Sequence, residues 1–204
     1  MRFNFLKIFK MNPEEKENSQ WEGEQPTSLA TDLVDKGIVK EGSHVLDMGC
    51  GFGRNSNWLA NEGAIVDAIN INEEELNEAK RRATEQGVSV NYVKADAGTL
   101  PFSDSSFDVL LDAGCTHMCD LETQQKSVKE ASRVIKPGGY LQFFGFSKEH
   151  PGYLRNPNSP QFRDIEDIKK QYGEYFEIEG EPKRKEWTHG NDKHIGIEIL
   201  MRKK

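Results

Sequence analysis

The chain has 204 residues, 30% of them charged and 35% apolar, and a formal net charge of −7. That balance excludes a disordered or membrane-embedded chain and suits one domain with a full hydrophobic core. Net acidity argues against the broad basic footprint of a nucleic-acid binder. The cysteines, Cys50, Cys115 and Cys119, are odd in number and lack disulfide-framework spacing, which points to a reducing, cytoplasmic setting.

At the start, Phe3, Phe5, Leu6, Ile8 and Phe9 are interrupted by Lys7. The run is too short for a signal core or a membrane span and reads as a flap docking on the domain. Residues 1–27 form a lead-in, polar from Met11 to Thr27 and broken there by Pro13, Gly23 and Pro26, with Trp21 either folded over a ligand site or packed in the core. Residues 28–204 are expected to form the domain itself.

Leu29, Leu33 and Val34 place a helix over 28–35, stopped at Gly37. A short apolar strand follows over 44–48, then a helix over 55–61 and a strand over 64–70. A charged amphipathic helix over 73–86 ends at Gly87, and strands follow over 88–93 and 107–112. The next helix, over 121–135, is stopped by Pro137, Gly138 and Gly139 before a strand over 140–146. A long loop over 147–160 leads to a helix over 165–172. The last two strands, 175–179 and 195–201, are joined by a polar loop through 183–191 and should pair antiparallel. This alternation implies right-handed crossovers and an α/β, doubly wound, seven-stranded, mostly parallel sheet with an antiparallel edge.

The sharpest local signal is Asp47-Met48-Gly49-Cys50-Gly51-Phe52-Gly53 between a strand and a helix. Ligands of open α/β sheets sit at the carboxyl ends of strands, and glycine lets backbone approach them closely. A dinucleotide fingerprint fails, because the third glycine position falls on Arg54 or Ser56. Asp47 would repel a pyrophosphate but attract an ammonium. A P-loop fails too, for want of Gly-Lys-Ser/Thr.

This Asp-x-Gly-x-Gly-x-Gly resembles the first motif of class I S-adenosylmethionine-dependent methyltransferases, and further matches run in order from Leu33 to Phe146. The resemblance implies a Rossmann-like methyltransferase fold with S-adenosylmethionine as cofactor. It places Asp47 at the cofactor's amino group, with Gly49, Cys50 and Gly51 giving backbone approach. At the end of the second strand the family carries an acid that grips both ribose hydroxyls. Here Asn70 stands there, followed by Ile71. An amide accepts from one hydroxyl and donates to the other, without the charge-assisted bond. Asn70 holds the ribose more weakly, a shifted residue does so, or the cofactor is a modified sulfonium. Asp96 and Ala97, after the third strand, fall on the adenine amino group and ring nitrogen.

Asp112 ends the fourth strand, near the methionine end of the cofactor or the transferred methyl. The loop after it, Ala113 to Asp120, should see the acceptor. Cys115 and Cys119 read as packing residues or as a soft pocket, without the second ligand pair that zinc requires. His117 reads as a base that deprotonates the acceptor or as a hydrogen-bonded loop residue. Asp112-x-Gly114-x-x-His117 resembles a pattern in bacterial small-molecule methyltransferases of the thiopurine and tellurite groups. Tyr153, in the loop after the fifth strand, could bind an aromatic acceptor. The Asn-Pro-Pro-Tyr type of signature is absent, so a small-molecule acceptor leads and no nucleic acid or membrane partner is expected. The alternatives are a protein that binds the cofactor without turnover and a transferase using a modified sulfonium.

Overall fold

Four of the five residues of β1 (His44–Met48) are buried. Such a run belongs to a parallel strand covered by helices on both faces. The computed structural model describes Gly23, residues 25–189 and residues 192–204. The flap expected over residues 1–10, Trp21 and most of the lead-in lie outside the described residues.

The sheet runs in the order β3 (Val90–Lys94), β2 (Ile65–Asn70), β1, β4 (Phe107–Ala113), β5 (Ile135–Ser147), β9 (Asp192–Lys203), β7 (Phe176–Ile178). The first five strands are parallel, while β9 is antiparallel to both β5 and β7. From β1 the chain steps outward to β3 and returns to lay β4 on the other side of β1. Strand order reverses there, which opens a crevice at the carboxyl ends of β1 and β4.

Adjacent residues of each strand feed opposite faces. Leu46, Leu110, Leu141 and Phe143 pack with Val128 and Ala131 of α4 (Leu121–Val134) and Ile168 of α6 (Ile165–Tyr172). Val45, Val66, Val109 and Leu111 pack with Leu29 and Leu33 of α1 (Ser28–Asp35) and Leu59 of α2 (Arg54–Asn61). The charged helix α3 (Glu73–Gln86) buries only Leu76, Ala79 and Ala83. No helix among the described residues is long and apolar enough to cross a membrane.

The sheet has nine strands rather than the seven expected from the sequence. The polar segment after β7 is not a loop: β8 (Lys183–His189) pairs with β9 from Lys183↔Glu198 to His189↔Asp192. An edge strand with solvent beside it needs no apolar alternation, so its pattern stays hidden. Its lysines have a buried partner instead, with Lys185 Nζ 2.9 Å and Lys183 Nζ 3.5 Å from the carboxylate of Glu198. The other extra strand, β6 (Phe162–Arg163), lies parallel to the end of β5. The long loop after β5 is also interrupted, by α5 (Pro151–Arg155), where His150 caps the turn by accepting from the Gly152 N–H at 2.9 Å.

Leu33 is 1% exposed and anchors α1 on the sheet. Leu33→Ala is expected to lower unfolding free energy by about 2–4 kcal/mol through lost transfer energy and a residual cavity. A lower urea midpoint with an unchanged slope is the expected reading.

Candidate active site

The loop from β1 to α2 turns through three glycines with positive φ: 78° at Gly49, 53° at Gly51 and 79° at Gly53. Their surroundings differ. A Cβ on Gly49 would stand 2.4 Å from Cys115 Cβ, and one on Gly53 would stand 2.3 Å from Tyr92 Oη. At Gly51 the nearest atom would be Glu75 Oε2, 4.0 Å away. Two glycines therefore permit packing, while the third leaves bare backbone with no closer neighbour among the described residues. The loop is tied to β2, since the N–H groups of Gly49 and Cys50 both donate to Ile69 O at 2.9 Å.

Asp47 sits beneath this loop, 1% exposed, accepting from Ser56 Oγ at 2.5 Å. Burial raises its pKa to about 6, against the stabilising Ser56 hydroxyl and Arg54 guanidinium. Asp112, at the neighbouring strand end, is equally buried, and desolvation raises its pKa too. One Asp112 oxygen accepts from the N–H groups of Cys115 (2.8 Å) and Thr116 (3.1 Å), the other from the Thr116 hydroxyl. Both oxygens thus shape the loop after β4.

At the end of β2, Asn70 is 9% exposed. Its Oδ1 accepts from the Ile71 N–H at 2.8 Å, and its Nδ2 donates to Glu75 Oε2 at 2.6 Å. Ile71 is 65% exposed, unusual for an aliphatic side chain beside a strand end. Asp96 is exposed after β3, and one of its oxygens accepts from the Gly98 N–H at 2.8 Å. Ala97 is buried next to it.

The loop after β4 forms a single 3₁₀ turn, Thr116–Met118. His117 is 2% exposed, both its ring nitrogens lack a hydrogen-bond partner among the described residues, and its ring stands edge-on to Phe146 at 4.6 Å. Burial, aided by the positive charge of Arg163, lowers its pKa to about 3. Phe146 is also stacked on His150 at 4.6 Å and Trp187 at 6.1 Å. His150 Nδ1 accepts a backbone N–H, so in the neutral ring Nε2 carries the proton and donates to His194 Nδ1 at 2.9 Å. Cys115 and Cys119 are half-buried, and Tyr153 packs edge-on against Phe162 at 6.0 Å. Among the described residues no three metal-ligating side chains gather.

Sequence reasoning missed two contributors. Glu75 was hidden within the acidic first turn of α3, where its five-residue distance from Asn70 was the only clue. Gln124 stands on the mixed-polarity helix α4, where its residue type gives no sign of burial. It is buried, and its Nε2 donates to Cys119 O (2.9 Å), Pro160 O (3.1 Å) and His117 O (3.3 Å). The buried Arg163 in turn donates to its Oε1.

A methyltransferase-domain family profile matches residues 46–143, the stretch from the glycine loop through the fourth strand end and into β5. That stretch is a methyltransferase domain, and its relatives and fold are those of class I S-adenosylmethionine-dependent methyltransferases. Curated relatives include a ubiquinone biosynthesis O-methyltransferase of Coxiella burnetii, 33% identical over 59% of this chain and 51% of its own length. Another is the methyltransferase GfsG of Streptomyces halstedii, 36% identical over 58% of this chain and 42% of its own length. The chain thus spans about half the length of these relatives. A solved S-adenosylmethionine-dependent methyltransferase of Methanosarcina mazei is 26% identical, covering 83% of this chain and 96% of its own, with a TM-score of 0.70. A Pyrococcus horikoshii protein shares the fold over the full length of both chains, with a TM-score of 0.74 at 20% identity.

The methyltransferase crevice fits the family's cofactor. Bare backbone at Gly51, a buried carboxyl at Asp47, an exposed apolar face at Ile71 and an exposed acceptor at Asp96 border one end of the sheet.

Asp47 carries a stability signature. Between about pH 4 and 6 the native state holds a proton that the unfolded chain has lost, so stability falls as pH rises through that window. Asp47→Asn, neutral throughout, is expected to be more stable than the parent at pH 8 by on the order of 2 kcal/mol. Urea titrations should show that gap closing by about pH 4.

Proposed function

We propose that this chain transfers a methyl group from S-adenosylmethionine to a hydroxyl oxygen of a small molecule. The observation that carries the reading is the open backbone at Gly51, set above a buried Asp47 at the reversal of strand order. Residues 28–204 are proposed as the catalytic unit. Hydroxyl as the acceptor class is supported by the relatives named for ubiquinone O-methylation.

In this reading Asp47 faces the cofactor's ammonium, Gly49, Cys50 and Gly51 lie along its amino-acid end, and Asp96 with Ala97 meets the adenine edge. Asn70 and Ile71 border the nucleoside between them. Bound there, the sulfonium supplies a methyl carbon already activated for in-line displacement. The protein's part is alignment and exclusion of water. Asp112 holds the loop after β4 in shape through its bonds to Cys115 and Thr116. That loop presents Cys115 and His117 to the acceptor, with Tyr153 further along the same edge.

His117 is the proposed proton acceptor. Its low pKa keeps the imidazole neutral at physiological pH, and its ring nitrogens carry no competing bond among the described residues. A weak base suffices, because an oxygen that has just gained a methyl group is a stronger acid than imidazolium.

Calorimetric titration with S-adenosylhomocysteine tests the cofactor seat. Gly51→Ala should weaken binding on the order of tenfold or more, because its methyl enters the ligand's space. Gly42→Ala is the control: φ is 78° there and no atom of a described residue lies within 4 Å of the added carbon. It should share a strain of about 1–2 kcal/mol and leave affinity intact. Equal affinity in both variants refutes the seat. Transfer of labelled methyl to a panel of phenols, thiols and amines then reads the acceptor class, and label appearing only on thiols or amines refutes the hydroxyl assignment.

A further inference from the structure

The ribose hydroxyls of a nucleoside seated in this crevice need acceptors, and the residue at the end of β2 is poorly placed to supply them. Asn70 spends its carbonyl oxygen on the Ile71 N–H and its amide on Glu75. Glu75, from the first turn of α3, is the carboxylate nearest the open side of Gly51, with Oε2 4.0 Å from where a Cβ would stand. Two side-chain amides fix its plane: Asn70 Nδ2 at 2.6 Å from Oε2 and Asn72 Nδ2 at 3.0 Å from Oε1. An ionised carboxylate has about four acceptor directions, so about two stay open. A vicinal diol donates two hydrogens.

We infer that Glu75, held by Asn70 and Asn72, is the carboxylate that binds the ribose diol of the cofactor. This rests on the proposed cofactor seat and adds to it a residue from a different element. On this arrangement Asn70 is a positioning residue. Its amide neutralises no charge, but it donates to Glu75, where a carboxylate could not. A carboxylate at position 70 would face Glu75 across a hydrogen-bond distance, and the two could not both ionise without strong repulsion. Asparagine at the strand end and glutamate five residues later thus form one unit.

The rival role for Glu75 is structural. It stands at the third position of α3, where an acid favours the helix N-terminus, and Asn72 already caps that end through Glu74 N (2.9 Å) and Glu75 N (3.4 Å). A cap influences stability, whereas a diol ligand influences nucleoside affinity in a way that depends on the hydroxyls. The test therefore uses S-adenosylhomocysteine and its 2′,3′-dideoxy analogue as calorimetric probes at pH 8, with wild type, Glu75→Gln, Asn70→Asp and the exchanged pair Asn70→Asp/Glu75→Gln.

Glu75→Gln should weaken S-adenosylhomocysteine on the order of tenfold or more while changing the dideoxy analogue less than about twofold. Asn70→Asp should weaken S-adenosylhomocysteine as well, and the exchanged pair, which moves the carboxylate off position 75, should not restore wild-type affinity. Unchanged affinity in Glu75→Gln, an equal loss for both probes, or tighter binding in Asn70→Asp overturns the assignment. If Glu75→Gln does not fold, Asn70→Asp against wild type decides by its sign alone. Failure of the wild type to bind S-adenosylhomocysteine would instead overturn the cofactor seat itself.

Discussion

Gly49 and Cys115 meet so closely that no side chain fits between them: an added Cβ would stand 2.4 Å from Cys115 Cβ. This contact joins the loop after β1 to the loop after β4, the two elements that flank the reversal of strand order. Gly53 repeats the arrangement on the other side, where its missing side chain leaves room for Tyr92, whose hydroxyl donates to Asn57 at 2.6 Å. The glycine loop is thus clamped at both ends, with Gly51 suspended between the clamps. Rigid support at the flanks and bare backbone in the middle are what a preorganised ligand seat requires.

That seat is assembled at the expense of burying charge. Asp47 and Asp112 are each 1% exposed; burial raises both pKa values, and the charge of Asp112 adds to the rise at Asp47. The charges of Arg54 and Arg163 offset part of that rise. Ser56 supports the first, and loop N–H groups with the Thr116 hydroxyl support the second. Elements of a fold that served stability alone would carry apolar residues at such positions. His117, whose two ring nitrogens lack partners among the described residues, is buried at the same cost between Phe144 and Phe146.

The glycine loop was legible in sequence because positive φ is a local demand that glycine meets wherever it stands. The parallel strands were legible for a similar reason, since burial on both faces writes a continuous apolar run. β8 was not: a strand with one solvent-facing edge and lysines paired to Glu198 has the composition of a loop. Glu75 was not, because Glu73, Glu74 and Glu75 are equivalent as letters and only the helix phase turns one of them toward β2. The contact between His150 and His194 joins residues 44 apart, and nothing in either neighbourhood announces it. What escaped was decided by tertiary geometry rather than by local propensity.

The outer margin of β9 has a further consequence. Its last three residues pair with β7, Glu179 N–H reaches Leu200 O at 2.8 Å, and Asp192 to Glu198 pair with β8. Two short strands laid end to end therefore cover one long one. Without β8 most of β9 would present a flat row of unpaired peptide groups, a template on which a second chain could add by strand pairing. The strand that replaces that margin carries Lys183, Arg184 and Lys185 in succession. The polar run that disguised β8 in the sequence thus lines the sheet's border with charged, ion-paired side chains, which discourage edge-to-edge aggregation.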